Sequence, residues 1–449
     1  MKKIYLSLVI TFILSIITIL LYSGCNEPNK EDLSLLNSPI YFEDIPKGCI
    51  EIDEYKTSNS CGFVDENGKT KVRIYSSNIY ITQDNDLVPI NSQLSRVKDE
   101  RLKNKYCYKT NNSYITTYFP SVIGDEAIYV SGEYDLFFMP INNKKSISNL
   151  TYTTAFIEDK YVIEYQNIFD NNSTLYLYAT SKGYNQEVIF KDKSNVPEYS
   201  FQVSSNDLYC ELDPSGYILI YNKEYEEING IIQRPLIKDA DNRVYFNCCK
   251  MNLEQNDNEN KYTITYSVSE KNFKYPISIV NGYSYYEDRQ ADTQIDSQNS
   301  TNEYLSDYAV ICNSSNYGKK ELCVKFSYLE KLQEFGIEPD DIESAVFTFF
   351  SIYSGNTDLS LIDIDSYWCS SLTNKDTKMT LGKKIKNPIE AVSFSAQNMN
   401  ITSAIRKWGE NSNNWDNGLM ISAEKGDDCT IITTSDSDIF NNFIELTIK

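Results

Sequence analysis

The chain has 449 residues, 41% of them hydrophobic, and a mean hydropathy of -0.43. That is enough apolar content for two or three cored domains and too polar for a polytopic membrane protein. A net charge of -21 argues against a nucleic-acid partner, because phosphate binding needs a basic face, and the absence of histidine excludes a Ser-His-Asp triad, a Cys-His dyad and His-ligated zinc.

The chain starts with Lys2 and Lys3, an apolar run from Ile4 to Leu21, and Ser23-Gly24-Cys25 followed by polar residues. A positive n-region, an apolar h-region and small residues read as a signal peptide over 1–24. Small residues directly before a cysteine resemble the bacterial lipoprotein signal. The resemblance implies cleavage before Cys25 and a diacylglycerol on its thiol, and so an exported protein held at the cell membrane by an N-terminal lipid. The alternative is an uncleaved anchor helix, whose 18 residues at about 1.5 Å each reach roughly 27 Å, marginally enough to span. Residues 25–40 read as a polar tether.

Ten further cysteines follow: Cys49, Cys61, Cys107, Cys210, Cys248, Cys249, Cys312, Cys323, Cys369 and Cys429. An even number in an exported chain permits disulfides, with the pairing left open, or the ten can remain buried thiols. No Cys-x-x-Cys spacing marks a zinc ribbon or a redox motif.

From 41 to 286 the chain reads as one short strand after another. "FVDENGKTKVRIY" carries Asn67-Gly68, a strong hairpin signal, between two extended runs. "NIYITQDNDLVPI" and "DPSGYILIY" repeat the idea with other turns, and "KYTITYSVSE" alternates, with Tyr262, Ile264, Tyr266 and Val268 on one face. Such Tyr-, Ile-, Val- and Thr-rich runs suit a pleated, half-buried surface. The expected fold class is all-β, with a first β-sandwich-like domain over 41–286.

Residues 287–302, "EDRQADTQIDSQNSTN", show no period and few apolar residues, and read as a linker. A second β-sandwich-like domain is expected over 303–449, with one short inserted helix. Ile401, Ile405 and Trp408 recur at i, i+4 and i+7, Asn400 stands ready as an N-cap and Gly409 as the terminator. That phase puts Trp408 in the core. Trp415 instead lies in the polar stretch "GENSNNWDNG", where its ring either stacks on a sugar or plugs the end of the sandwich. The candidate ligand-binding residues are therefore Trp415, Asp416 and Asn417.

Residues 303–449 also resemble a DNRLRE domain. The features are Asp307, then Asn316-Tyr317-Gly318 and Leu322-x-Val324, then "IESAVFTFF", then Ile401 to Trp408 with Asn417-Gly418-Leu419, and a Ser-rich loop before the last strand. Residues 60–285 are similar to the β-rich region that precedes such domains in Rhs-like and wall-associated proteins, through "YQNIFDNNSTLYLYATSKGYNQEVIF", "RPLIKDADNRV" and "YPISIV". The resemblance implies a non-catalytic surface module, some of whose relatives bind carbohydrate.

Asp363 and Asp365 share one side of a strand, and Asp427, Asp428, Asp436 and Asp438 cluster in loops. Calcium needs six to eight oxygens, and no Asp-x-Asp-x-Asp-Gly loop is present, so these read as solvated carboxylates and neither a metal nor a cofactor is expected. The functions expected, in order, are binding or scaffolding at the cell envelope, polysaccharide capture by the C-terminal domain, and glycan chemistry by a carboxylate pair.

Overall fold

The structure, a computed structural model, describes residues 45–449 apart from 287–291, 298–307, 365–379, 411–417, 425–428, 435–440 and shorter internal stretches. The chain is all-β, and its strands pair antiparallel. The Asn67-Gly68 hairpin forms as expected between Ser60–Val64 and Thr70–Tyr75. Gly68 takes the left-handed backbone (φ 76°) that the turn requires. The Asp65 carboxylate accepts the backbone N–H groups of Asn67 and Lys69, both at 2.9 Å. These donors, that of Lys69 foremost, hold its carboxyl below the usual range.

Residues 94–286 form two large sheets and a small pair, Val122–Ile123 with Leu150–Thr151. One runs Cys249–Gln255, Lys261–Val268, Glu198–Ser204, Asp135–Asn142, Ile128–Ser131, Thr116–Pro120, Tyr106–Thr110, Leu94–Arg96. The other runs Thr153–Ile157, Lys160–Gln166, Ser173–Thr180, Gly183–Phe190, Ile277–Tyr285, Ile228–Ile232, Ile218–Asn222, Leu208–Leu212. Both feed one core, in which Phe119, Ile128, Val130, Phe138, Phe201 and Ile264 of the first meet Ile163, Leu175, Leu177, Val188, Ile277 and Ile279 of the second. Tyr262, Ile264 and Tyr266 face that core together, as their alternation predicts. Hydrogen bonds stitch the sheets, among them Tyr165 Oη to the Pro120 carbonyl at 2.6 Å, Thr117 Oγ1 to the Gly183 carbonyl at 3.0 Å and Asn281 Nδ2 to Tyr266 Oη at 2.8 Å. Ser173–Thr180 and Gly183–Phe190 are covered on both faces rather than one. On the face away from the core, Tyr176 and Tyr178 pack with Val162 as a second apolar cluster.

Burial raises the phenol pKa of Tyr165, Tyr184 and Tyr199 well above its ordinary value, chiefly by denying water to the phenolate. Above a pH of about 10, the unfolded chain sheds these protons while the folded chain keeps them. The stability they contribute is therefore complete below about pH 10 and is lost as pH rises past it. Ultraviolet titration of tyrosinate should show a first wave from exposed tyrosines and then an abrupt one coinciding with loss of near-ultraviolet circular dichroism. A single smooth wave with the fold intact would mean that the buried phenols are open to solvent.

The third sheet corrects the expected domain boundaries. It is 13-stranded and runs Ile50–Thr57, Ser60–Val64, Thr70–Tyr75, Phe443–Ile448, Ile342–Ser354, Cys429–Thr433, Tyr308–Ser314, Gly318–Val324, Leu419–Ala423, Asp358–Ile364, Leu381–Glu390, with Asp292–Asp296 added on Gly318–Val324 and Ser395–Asn400 on Ile342–Ser354. The strands at 50–75 thus belong with the C-terminal strands and not to a domain spanning 41–286. Their register is fixed from Thr70 opposite Ile448 to Tyr75 opposite Phe443. The reason is shared burial: Val72 and Ile74 enter the same core as Ile444 and Leu446. On the other face Arg73 Nε meets Glu445 Oε2 at 2.9 Å, and its guanidinium lies over the Phe63 and Phe443 rings.

The expected 287–302 linker likewise contains a strand, Asp292–Asp296, paired in register with Gly318–Val324. Its Asp292 and Gln294 are polar yet buried, and Gln294 Oε1 accepts the Val310 N–H at 2.8 Å inside the sheet. Among the described residues the C-terminal region also holds two α-helices rather than one. Helix α1 spans Tyr328–Phe335, with Tyr328 and Leu332 buried and Gly336 (φ 65°) just past its end. Helix α2 spans Thr402–Glu410, one residue beyond Gly409, and Asn400 Oδ1 accepts the Thr402 N–H at 3.1 Å, the capping role expected of it.

Candidate functional site

The sequence places the candidate ligand residues between helix α2 and the strand Leu419–Ala423. Trp415, Asp416 and Asn417 lie outside the described residues, as do Cys25, Asp365, Asp427, Asp428, Asp436 and Asp438. What is described is the platform from which that segment departs and to which it returns. Helix α2 is pinned to the strand Ile342–Ser354 at its start and at its middle. The Thr402 hydroxyl oxygen accepts the Ala345 N–H at 2.9 Å, and Arg406 Nη2 donates to the Ile342 carbonyl at 2.8 Å. Ile401, Ile405 and Trp408 are buried together, so the helical period read from the sequence is the packed face.

Trp408 is only 2% exposed. Its ring lies 5.5 Å from that of Tyr328, whose hydroxyl donates to the Ile405 carbonyl. Its Nε1–H donates to Asp363 Oδ1 at 2.8 Å, and Lys407 Nζ reaches Asp363 Oδ2 at 2.8 Å. Asp363 continues the inward row of Leu359 and Leu361, so a strand that buries leucines ends with a carboxylate aimed at the indole. This corrects the reading of Asp363 as a solvated side chain: it is 3% exposed and fully engaged. The partnership explains how a buried carboxylate and a buried indole N–H coexist, each removing the desolvation cost of the other.

The same corner carries the return of the loop. Gly418 has φ 76°, and a Cβ there would meet the Val324 carbonyl oxygen at 2.1 Å, so only glycine fits. Its carbonyl accepts the Ile364 N–H, and Leu419 is registered with Asp363. Ile364 and Gly418, which border the 365–379 and 411–417 stretches in sequence, therefore sit side by side next to Asp363.

Among the described residues, no group of three or more His, Cys, Asp or Glu is placed to hold a metal ion. Of the described carboxylates, Glu164 and Glu187 flank Tyr176 across three neighbouring strands. At about 4.8 Å per strand their backbones are roughly 10 Å apart. Glu187 is buried and accepts hydrogen bonds from the Tyr178 and Ser278 hydroxyls, so it is engaged within the sheet.

One surface escaped the sequence reading. Tyr118, Tyr129 and Phe137 stand opposite one another on three adjacent strands, on the face turned from the core, with Tyr106 against Tyr118 and Tyr129. Ring centroids are 5.2 Å and 4.9 Å apart at interplanar angles of 15° and 10°. The flat faces are spent on each other, and Tyr129 Oη donates to Asp135 Oδ1 at 2.8 Å, so the ladder offers ring edges rather than a stacking platform. Its signal was an aromatic at the outward position of three successive strands, legible only once their register is known.

No protein-family model matches the chain, and no curated protein matches it. Among solved structures it is similar to an exo-beta-1,3-galactanase from Phanerochaete chrysosporium crystallised with galactose. That likeness has 8% identity and a TM-score of 0.11, covering 84% of this chain and 100% of the other, and it is too slight to carry an argument about fold or function.

Proposed function

We propose that the protein is a lipid-anchored, non-catalytic binding or scaffolding protein of the bacterial cell envelope. The observation that supports this best is where the two ends of the chain meet. The strands at 50–75, which follow the expected tether from Cys25, pair directly with the last strand, Phe443–Ile448. The anchored end thus enters the same sheet that carries the C-terminal loops. Residues 94–286 are held as a second unit between those pairing partners, an arrangement suited to displaying two modules from one attachment point. In this proposal the DNRLRE-like region is completed by strands from 50–75. Cys25→Ala should abolish incorporation of labelled fatty acid and release the protein from the cell surface. A mutant that still incorporates label would sink the lipoprotein reading.

The second reading is capture of a polysaccharide by Trp415, Asp416 and Asn417. It draws support from the residues that border them, where Gly418 is fixed against Val324 and Asp363 is engaged by Trp408. A net charge of -21 repels polyanions at low salt, so a neutral or basic glycan is the fitting ligand. Trp415→Ala should weaken binding to a neutral polysaccharide by about tenfold, the loss of roughly 1.4 kcal/mol, and leave thermal unfolding unchanged. Unchanged binding would remove these residues from the site. Release of reducing ends by highly purified protein would overturn the non-catalytic assignment.

A further inference from the structure

Cys312 and Cys429 stand directly opposite each other on the antiparallel strands Tyr308–Ser314 and Cys429–Thr433. Directly opposite residues point to the same face. The two side chains, 0% and 2% exposed, pack with Val310 as a separate cluster. The other cysteines with a registered strand partner face something else: Cys61 faces Arg73, Cys210 faces Ile220, Cys249 faces Val268, and Cys323 faces Thr293 and Met420. Opposed residues of an antiparallel pair have Cα atoms about 4.5–5.5 Å apart, inside the window of about 4.4–6.8 Å that a disulfide bridges. Their Cβ atoms, at about 4.5–5.5 Å, need to approach by at most about 1 Å. We infer that Cys312 and Cys429, opposed in register and buried in one cluster, are a disulfide site that closes when the chain folds in contact with a disulfide oxidant.

The position gives the bond a purpose. Cys429–Thr433 is the strand that joins Tyr308–Ser314 to Ile342–Ser354. On one side of it lie the strands at 50–75, 342–354 and 443–448, and on the other those at 308–324, 358–364 and 419–423. A covalent link here closes the seam between the two halves of the 13-stranded sheet. It also ties together residues far apart in sequence, where cross-linking restricts the unfolded chain most.

The chemistry is thiol–disulfide exchange. One cysteine thiolate attacks a sulfur of the oxidant, such as oxidised glutathione, forming a mixed disulfide and expelling one glutathione thiolate. The second cysteine thiolate attacks the protein sulfur of that mixed disulfide, the Cys312–Cys429 bond forms, and the second glutathione thiolate leaves. The two protons lost by the cysteines end on the two glutathiones, which are reduced by the two electrons the cysteines give up. Because both thiols are buried in the finished fold, the exchange belongs to folding, before the seam closes.

The test refolds the purified chain in a glutathione redox buffer, blocks remaining thiols with N-ethylmaleimide and digests without reduction. A linked peptide pair containing Cys312 and Cys429 is expected, and it should disappear after reduction. The melting temperature should rise by roughly 10 °C over that of reduced protein. In Cys312→Ala and in Cys429→Ala that response to oxidation should vanish. Should either variant fold poorly, the double variant Cys312→Val/Cys429→Val, which keeps the site apolar, should fold and be insensitive to oxidant. Absence of the linked pair from oxidised protein, pairing of either cysteine elsewhere, or equal melting temperatures for the oxidised and reduced forms would each overturn the inference.

Discussion

Trp408→Ala should lower the stability of the unit built on the 13-stranded sheet by about 3–5 kcal/mol, the usual cost of emptying a buried tryptophan site. The indole fills the space between Tyr328 and the inner face of the sheet, and neighbours pinned by Thr402, Arg406 and Gly418 leave little room to collapse into the cavity. The substitution also takes the indole donor from Asp363, leaving a buried carboxylate oxygen with Lys407 alone beside it. Trp408→Phe separates the two effects, because it keeps most of the ring and loses only the N–H. It should cost about 1–3 kcal/mol. Urea unfolding followed by circular dichroism is the measurement, with an unchanged slope required in all variants. A loss below about 1 kcal/mol for Trp408→Ala would put that side chain on the surface and reopen it as a binding residue.

The contrast between Trp408 and Asp363 shows which information the sequence carries openly. Trp408 was legible because Ile401, Ile405 and Trp408 repeat at the helical period, a signal contained in eight residues. The role of Asp363 was not, because its partners Trp408 and Lys407 lie more than forty residues away and no local pattern points to them. Turns behaved like Trp408: Asn67-Gly68 and the turn at Gly216 lie where the sequence puts them, since glycine's left-handed freedom is a local property. Pairing behaved like Asp363. Asp292–Asp296 looks like a linker because its burial rests on the Gln294 hydrogen bond to Val310 and not on apolar alternation. Helix α1 is the exception that was available and missed. Tyr328, Leu332 and Phe335 fall at i, i+4 and i+7 with Gly336 behind them, the same signal that identified helix α2. Of the candidate binding segment, the sequence supplies Trp415, Asp416 and Asn417, and the structure supplies the base at Gly418 and Asp363.

A fragment of residues 303–449, the length that reads as a self-contained domain, should fail to fold as a stable monomer. It keeps Phe443–Ile448 but lacks Thr70–Tyr75, so six registered positions lose their partners and the strand becomes an open edge. The loss reaches the core as well. Val72 and Ile74 pack in the cluster that contains Ile444, Leu446 and Trp408, and burial of each is worth about 1.5–3 kcal/mol. These two alone remove roughly 3–6 kcal/mol from a domain stability of about 5–15 kcal/mol. Cys61 and Tyr75 leave the neighbouring cluster that holds Phe350, Ile352, Ile431 and Phe443, and Asp292–Asp296 leaves Gly318–Val324. An exposed apolar edge of this kind recruits further copies, so the isolated fragment should aggregate rather than remain loosely folded in solution. Adding residues 45–90 as a separate chain to 292–449 should restore cooperative unfolding and the near-ultraviolet signal of Trp408. If 303–449 alone unfolds cooperatively at the melting temperature of the same unit in the full chain, pairing between Thr70–Tyr75 and Phe443–Ile448 contributes nothing to that unit. The meeting of the two chain ends would then no longer support display of two modules from one attachment point.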